Sequence, residues 1–283
     1  MNYLVLGASG FIGSQLCALD NNLFIEIDNF FAQGSRLPDS YCENAQLLYF
    51  LSRNENRFNI DGNIFQDLDR LLSFMKVNSL SKLTYASTSK VYGANLSGNI
   101  YENSINLDSD YAIYHFKRET YLNNFCRNLQ IEFHIIRLFN IYGSFHNKSL
   151  ERSTLVPNDF ILQASKNNHI YLKSNGKKIL NLVSILELKE FLICKLKGSQ
   201  TFISTLYSNW YPTVLEVAEL VQESFLRCLS MRINVETNQN DPSKYSSFRF
   251  VGQNPPVAHT AIESKMIFIE EIDRLVKRTM EGI

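Results

Sequence analysis

The sequence has no excess charge of either sign, no long apolar run and no paired cysteine motif. Its 28 basic and 28 acidic residues give a formal net charge of zero, which excludes the basic surface expected of a protein that binds nucleic acid or an anionic membrane. No stretch approaches the roughly 20 apolar residues of a membrane-spanning helix, and the first apolar segment starts too close to Met1 to leave room for a signal peptide. The five cysteines are scattered without C-x-x-C, and predict reduced thiols in a cytoplasmic protein with no cysteine-bound metal.

A short apolar segment that breaks on closely spaced glycines opens the chain. Residues 3–6 are Tyr-Leu-Val-Leu, and the glycines that follow are spaced G-x-x-G-x-x-G before a helical segment. This pattern predicts a buried strand, a tight turn and a helix N-terminus, whose N–H groups and dipole favour a pyrophosphate. The candidate dinucleotide-binding residues here are Gly7, Ser9, Gly10, Phe11, Ile12 and Gly13.

A second apolar run, residues 23–27, ends in Asp28, followed by Asn29. An acid at this place accepts hydrogen bonds from an adenosine ribose and repels the extra phosphate of NADP, so NAD is the predicted cofactor. The glycine pattern alone is weak, and a glycine turn that binds nothing is the alternative. A strand before it, a helix after it and an acid at the next strand end together favour the dinucleotide site.

Apolar strand patterns alternate with amphipathic helix patterns through the first half of the chain. Strands are predicted near residues 47–51, 83–86 and 132–138, and helices near 63–76 and 111–128, with 29–46 as a loop. Such alternation predicts an α/β protein with a doubly wound parallel sheet. We expect residues 1–150 to form this dinucleotide-binding domain.

Beyond residue 143 the elements become shorter. A polar loop over 144–152 precedes predicted helices at 158–166 and 214–228 and predicted strands at 170–172 and 201–203. We expect residues 151–283 to form a smaller α/β substrate lobe, with some exchange of chain between the two, that closes over the carboxyl ends of the strands, where such sheets bind ligands.

Several motifs together resemble the extended short-chain dehydrogenase/reductases of the NAD-dependent epimerase/dehydratase family, which includes UDP-galactose 4-epimerase. They are GASGFIG from Gly7, STSKVYG from Ser87, the Tyr111 helix with Glu119, RLFNIYG from Arg137, P-x-x-F-I-x-x-A from Pro157, VLEVAELV from Val214 and D-x-S-K from Asp241. The resemblance covers nearly the whole length and implies a Rossmann-like fold, NAD as cofactor and a nucleotide-sugar substrate.

The resemblance also implies roles for individual residues. Thr88 matches the hydroxyl that bonds the reacting oxygen of the sugar; a hydroxyl satisfied by backbone at a strand end is the alternative. Tyr111, which lies 26 residues before Arg137, matches the acid/base tyrosine; a packed aromatic at a helix start is the alternative. Asn140 matches the asparagine that reaches the diphosphate, unless it is only a turn residue. Ser89, beside Thr88, is a further candidate for substrate binding.

The catalytic helix departs from the family at one position. His115 stands where the family has a lysine, four residues after the tyrosine, that lowers the pKa of the phenol and binds the nicotinamide ribose. An imidazole with a pKa near 6.5 is mostly uncharged at neutral pH, so activity would fall unless His115 is held protonated or Lys90 reaches the site.

Three further departures concern the substrate and the adenine. Ser89-Lys90 replaces the Asp-Glu pair of dehydratases, which argues against a 4,6-dehydratase. The run over 180–187 lacks the family's diphosphate-binding arginine; Lys177 and Lys178 could replace it, or could form a solvated turn. The segment 28–47 is too short for the strand and helix that usually help to cover the adenine.

The sequence therefore predicts a cytoplasmic NAD-dependent enzyme acting on a nucleotide-activated sugar, as a 4-epimerase or a ketosugar reductase/dehydrogenase. Thr88, Tyr111 and His115 are the catalytic candidates, with no metal involved. The alternative is a catalytically silent dinucleotide-binding sensor or partner protein of the same fold. The family's usual homodimer, built from the helices at 63–76 and 111–128, is also expected.

Overall fold

The computed structural model describes residues 2–50, 66–143, 155–196, 201–252 and 259–281, which form two compact units. The first unit contains Met1–Ala94, Glu102–Leu138 and Leu192–Leu206, and the second contains Asn95–Tyr101, Phe139–Phe191 and Tyr207–Ile283. Each unit is assembled from separate stretches of chain. Residues 192–206 thus join the first unit, although they lie in the segment predicted as the smaller lobe.

Twelve strands and nine α-helices occur within these described ranges. The strands are β1 (Tyr3–Leu6), β2 (Phe24–Glu26), β3 (Gln46–Phe50), β4 (Lys82–Thr88), β5 (Gly98–Ile100), β6 (Glu132–Leu138), β7 (Asn140–Tyr142), β8 (His169–Leu172), β9 (Leu182–Ser184), β10 (Phe202–Leu206), β11 (Asn234–Thr237) and β12 (Phe248–Phe250). The helices are α1 (Phe11–Leu19), α2 (Asp28–Gln33), α3 (Asp39–Cys42), α4 (Gln66–Val77), α5 (Asp110–Asn128), α6 (Val156–Asn167), α7 (Ile185–Lys195), α8 (Val214–Leu229) and α9 (Ala261–Glu281). None of these helices is long and apolar enough to cross a membrane.

The first unit is built on a six-stranded parallel sheet in the order β10-β6-β4-β3-β1-β2. Its order reverses between β1 and β3, which makes this the switch point where open parallel sheets bind ligands beyond their carboxyl ends. The glycine segment leaves β1 at that edge, and Thr88 ends β4 at the same edge. This arrangement confirms the predicted α/β fold.

Apolar residues from strands and helices fill the space on one side of the sheet. Leu47, Leu83 and Phe133 of three adjacent strands pack with Leu71 of α4 and Leu122 of α5 in a single buried cluster. Each of these side chains is at most 1% exposed, so α4 and α5 are fixed to the sheet chiefly by the burial of apolar surface.

Two predictions differ from the structure. The stretch 29–46, predicted as a loop, holds the short helices α2 and α3, because Asp28 and Asp39 favour helix first turns over so short a span. The strand predicted at 201–203 in the smaller lobe is part of β10, which pairs with β6 in the large sheet. The predicted loop at 144–152 and the first residues of the helix predicted at 63–76 lie outside the described residues.

The second unit has three two-stranded parallel sheets, β8 with β11, β5 with β12 and β7 with β9. Its core is an apolar cluster from α6, α8 and α9 that includes Trp210, Phe225 and Phe268. The register of β7 against β9 sets Asn140 opposite Leu182, which fixes the place of this substrate-binding candidate within the unit.

Candidate active site

The glycine turn after β1 cannot carry side chains at two of its three glycines. Gly7 has φ +95°, and a Cβ there would overlap the carbonyl oxygen of Phe50 in the neighbouring strand. A Cβ on Gly13 would overlap the carbonyl oxygen of Gly7. Helix α1 begins immediately after Gly10, which has no side chain to accept the first N–H groups of the helix. The turn is therefore tight and ends in a helix N-terminus suited to a diphosphate.

Asp28 braces this turn by accepting hydrogen bonds from three backbone N–H groups. Its Oδ1 accepts from Gly7 at 2.6 Å and from Ala8 at 3.2 Å, and its Oδ2 accepts from Ser9 at 2.9 Å. A carboxylate offers about four acceptor positions, so roughly one remains for the ribose hydroxyl predicted from the sequence. The adjacent Asn29 is exposed.

The residues of this turn fit a dinucleotide. Phe11 is buried and Ile12 is half-buried, whereas Ser9 is exposed, so the backbone at the start of α1 rather than large side chains would meet the diphosphate. The negative charge of Asp28 beside the turn favours a cofactor without a 2′-phosphate.

Helix α5 sets Tyr111 against His115. The helix starts at Asp110, and the Ser109 hydroxyl accepts the Ala112 N–H at 3.3 Å as its N-cap. The rings of Tyr111 and His115, one turn apart, lie edge to face with centroids 4.6 Å apart. Tyr111 is half-buried, so the two proposed catalytic side chains on this helix are in direct contact.

His115 is a neutral imidazole in this setting. The residue is 4% exposed, and burial, with a smaller contribution from the nearby charge of Arg118, lowers the pKa of His115 to about 3. Its Nδ1 lies 2.8 Å from the hydroxyl of Tyr85, which is fully buried in β4. The surroundings of His115 therefore oppose its protonation at neutral pH. Lys90, the other candidate cation in the sequence, lies on the 3-10 helix 89–92 and is exposed.

Arg118 supplies a buried positive charge one turn beyond His115. Its guanidinium donates to both carboxylate oxygens of Asp67 in α4, at 2.8 and 3.1 Å, and to the hydroxyls of Tyr49 and Tyr114, at 2.6 and 3.0 Å. The side chain is fully buried and lies over the rings of Tyr49, Tyr85 and Tyr114. The charge that the family places beside the tyrosine is thus found further along α5, bound to a carboxylate.

A second buried ion pair joins the elements that carry the candidates. Arg137 in β6 donates to Glu119 in α5 at 2.7 Å, and both side chains are less than 5% exposed. The Ser87 hydroxyl also donates to Glu119, so β4, α5 and β6 are connected through one carboxylate. Removing one partner of so buried a pair would leave an uncompensated charge, which is strongly destabilising. The pair therefore fixes α5 relative to the end of β4.

Thr88 and Ser89 lie buried where β4 ends. The Thr88 hydroxyl accepts the Lys90 N–H at 3.2 Å as the N-cap of the 3-10 helix. This is the backbone contact anticipated by the alternative interpretation, but the hydroxyl proton still leaves Thr88 able to donate to a ligand.

In the second unit, the substrate candidates Asn140 and Lys177 have different hydrogen-bond partners. The Asn140 amide donates to the Asn181 carbonyl at 3.1 Å. The buried Asn181 amide is in turn paired with the Ser208 backbone, through contacts of 2.7 and 2.9 Å. Lys177 is exposed, and its backbone N–H donates to Asn175 at 3.1 Å. Asn140 therefore has a structural contact besides its predicted role.

The run over 180–187, where the family has its diphosphate-binding arginine, instead forms a helix cap. Ser184 and Glu187 exchange hydrogen bonds with each other's backbone N–H groups, at 3.0 and 2.7 Å, at the start of α7. Glu187 is buried, and this burial raises the pKa of its carboxyl. The S-x-x-E spacing could have revealed this cap from the sequence.

Sequence reasoning missed Tyr85, Asp67 and Tyr49 as parts of the site. Arg118 lies seven residues after Tyr111, on the same face of the helix. No local pattern could have paired Arg118 with Asp67, because 51 residues separate them.

These observations define a class, a dinucleotide-binding α/β protein with a tyrosine at the start of the helix that packs beside β4. A model of the NAD dependent epimerase/dehydratase family matches residues 59–201, about half of the chain. The chain belongs to that family, and the NAD dependence of the family agrees with the predicted cofactor.

Similar proteins include enzymes of nucleotide-sugar metabolism. UDP-glucuronic acid decarboxylase 6 from Arabidopsis thaliana is 26% identical over 280 residues, covering 86% of this chain and 79% of that protein. Among solved structures, UDP-N-acetylglucosamine 4-epimerase from Methanobrevibacter ruminantium M1, in complex with UDP-N-acetylmuramic acid, has a TM-score of 0.74 at 16% identity, covering 100% of this chain and 99% of that one. UDP-glucuronic acid 4-epimerase from Bacillus cereus, in complex with NAD, has a TM-score of 0.70 at 16% identity with the same coverage. The structural likenesses confirm the fold.

Because His115 is buried, the free energy of unfolding should depend on pH. Its pKa of about 3 in the folded state lies below the unfolded value near 6.5, so the unfolded state takes up the proton first and stability is lost as pH falls from about 6.5 to about 3. At pH 5 this loss is about 2 kcal/mol. His115→Gln removes it, so the free energy of unfolding of the wild type should fall more steeply between pH 7 and 5 than that of the variant, measured by urea denaturation.

His169→Gln is the matched control, since the His169 side chain is 39% exposed beside Glu236. This variant also exchanges one imidazole for an amide, so only an effect beyond that of His169→Gln is assigned to the burial of His115. Parallel profiles for the wild type and His115→Gln would contradict the neutral assignment of His115.

Proposed function

We propose that the protein is an NAD-dependent oxidoreductase or epimerase acting on a nucleotide-activated sugar, as a 4-epimerase or a ketosugar reductase/dehydrogenase and not as a 4,6-dehydratase. The observation that carries this proposal is the contact of Tyr111 with His115 at the start of α5, in the same unit as the glycine turn braced by Asp28. The names of the similar proteins support a nucleotide-sugar substrate.

The residues divide the work as follows. Bound NAD would supply hydride transfer to or from a sugar carbon. Tyr111 takes the proton of the hydroxyl on that carbon, or delivers it, as general base or acid. Thr88 donates a hydrogen bond that orients the reacting oxygen, and Ser89 lies beside it. His115 donates to a hydroxyl of the nicotinamide ribose, while the turn from Gly7 to Gly13 and Asp28 hold the diphosphate and the adenosine ribose.

In the second unit, we propose that Asn140 and Lys177 contact the nucleotide-sugar. The Lys177 side chain is exposed and carries a charge suited to a diphosphate. Asn140 is exposed on β7 and keeps acceptor capacity beyond its bond to Asn181, because an amide has two donors and one acceptor oxygen.

We also propose a cytoplasmic homodimer formed through α4 and α5. All five cysteines are unpaired thiols, as expected of a reducing compartment. On α5 the rings of Tyr121 and Phe125 stack and are each half-buried, which leaves aromatic surface for a second copy.

A second function is favoured by one observation. Because the imidazole of His115 is neutral and the charge of Arg118 is bound to Asp67, neither residue supplies the free cation that activates the tyrosine in the family. A catalytically silent dinucleotide-binding sensor or partner protein would tolerate this. Calorimetric binding of NAD together with the nicotinamide absorbance after adding UDP-glucose, UDP-glucuronic acid or UDP-N-acetylglucosamine separates the two. Binding without any absorbance change or sugar conversion favours the sensor.

Removal of the Tyr111 hydroxyl should abolish turnover and preserve binding. For Tyr111→Phe we expect the rate of sugar conversion to fall by roughly 10²–10⁴-fold, the usual contribution of a general acid–base group, with the Kd for NAD within about twofold of the wild type. Tyr121→Phe is the matched control, because its hydroxyl lies on the same helix but donates to Asp69. Equal losses in both variants, or none in Tyr111→Phe, would contradict the proposed role.

Restoring a cation at position 115 should raise the rate. An ammonium beside a phenol lowers the pKa of the phenol by about 1–3 units, so His115→Lys should increase turnover at pH 7 by about tenfold or more. The variant should also be less stable, because its charge lies near Arg118. A variant that folds, binds NAD as the wild type does and gains no activity would mean that His115 serves another purpose.

A further inference from the structure

The hydroxyl of Tyr85 and the imidazole of His115 form a buried hydrogen-bonded pair beneath α5. Tyr85 is fully buried in β4, three residues before Thr88, and His115 is 4% exposed. Their atoms Oη and Nδ1 lie 2.8 Å apart, and the two rings are stacked with centroids 5.9 Å apart. Neither the proton transfer nor the cofactor contacts proposed above make use of Tyr85.

The direction of this hydrogen bond follows from the needs of a buried phenol. Burial raises the pKa of Tyr85 well above its usual value, so the hydroxyl keeps its proton. Within the described part of the chain, Nδ1 of His115 is the acceptor that this hydroxyl reaches. An O–H buried without an acceptor is costly, so Tyr85 donates and Nδ1 carries no proton.

A neutral imidazole with an unprotonated Nδ1 carries its proton on Nε2. No residue of the described chain accepts a hydrogen bond from Nε2 of His115. The charged groups near the ring, Arg118 with its partner Asp67, are already bound to each other. The Nε2–H group is therefore left to donate a hydrogen bond to a ligand.

We propose that Tyr85 is a positioning residue that fixes the Nε2–H tautomer of His115, so that His115 presents a neutral hydrogen-bond donor to a hydroxyl oxygen of the bound ligand. In the proposed function, on which this role rests, the oxygen belongs to the nicotinamide ribose. His115 would thereby perform one of the two tasks that the family gives to one lysine, the hydrogen bond to the ribose; the positive charge nearby, on Arg118, is paired with Asp67.

The tautomer can be measured directly on the wild-type protein. In a sample labelled with ¹⁵N-histidine at pH 7, long-range ¹H–¹⁵N correlation spectra distinguish protonated from unprotonated ring nitrogens, and the spectrum of His115→Gln assigns the signals of His115 among the five histidines. We expect His115 to show an unprotonated Nδ1 and a protonated Nε2. A protonated Nδ1, in either the other tautomer or the imidazolium, would overturn the proposal whether or not Tyr85→Phe folds.

Tyr85→Phe tests the role of the phenol itself. Its His115 signals should shift toward a mixture of tautomers, and the Kd for NAD should rise roughly twofold to tenfold, the loss expected for one misplaced hydrogen bond. Tyr114→Phe is the matched control, since it removes a phenol that bonds Arg118 and whose ring also touches His115; its tautomer should match the wild type. Unchanged signals in Tyr85→Phe, or equal Kd values for Tyr85→Phe and the wild type, would overturn the positioning role.

The same samples separate this inference from the proposed function. If the wild type shows the Nε2–H tautomer and Tyr85→Phe disturbs it, but neither protein binds NAD, the assignment of Tyr85 stands and the NAD-dependent function fails.

Discussion

The buried charge of Arg118 determines what helix α5 can do. A guanidinium removed from water costs several kcal/mol unless partners compensate, and here both oxygens of Asp67 and two phenol hydroxyls do so. A second full charge one turn away, at His115, would add both desolvation and repulsion. The imidazole is therefore neutral, so His115 supplies no positive charge beside Tyr111.

The glycine turn depends on a negative charge, that of Asp28. Three N–H groups of the turn converge on Asp28, so the carboxylate proposed to bind the adenosine ribose also holds the turn in shape. Substrates and dinucleotides then meet a preorganised backbone and lose less entropy on binding. The short segment after Asp28 folds as α2 and α3 rather than as another strand, which leaves β2 at the edge of the sheet.

Local sequence patterns predicted those structural features that depend on interactions between residues close together in the chain. The glycine spacing, the strand runs and the helix at 111–128 each reflect constraints within a few residues, and the structure has them in place. The contacts that set protonation could not be predicted in this way. Arg118 and Asp67 are 51 residues apart, and Tyr85 and His115 are 30 apart, so their meeting depends on the packing of α4 and α5 on the sheet. The strand predicted at 201–203 was assigned to the smaller lobe for the same reason, since so short a pattern does not show which sheet the strand joins; it is part of β10, which pairs with β6.

A neutral donor in place of an ammonium affects binding and rate differently. The hydrogen bond proposed from His115 to a ribose hydroxyl would be as strong before the reaction as during it, so it would contribute to affinity and not to turnover. A positive charge beside Tyr111 stabilises the phenolate that forms when the phenol loses its proton. Without such a charge, kcat should be lower. The enzyme and the silent dinucleotide-binding protein therefore share one ground state, built from the braced turn and the neutral imidazole. Affinity for NAD cannot separate them, and the deciding quantity is the free energy of the Tyr111 phenolate, which the distant and neutralised charge of Arg118 stabilises less than an adjacent lysine would.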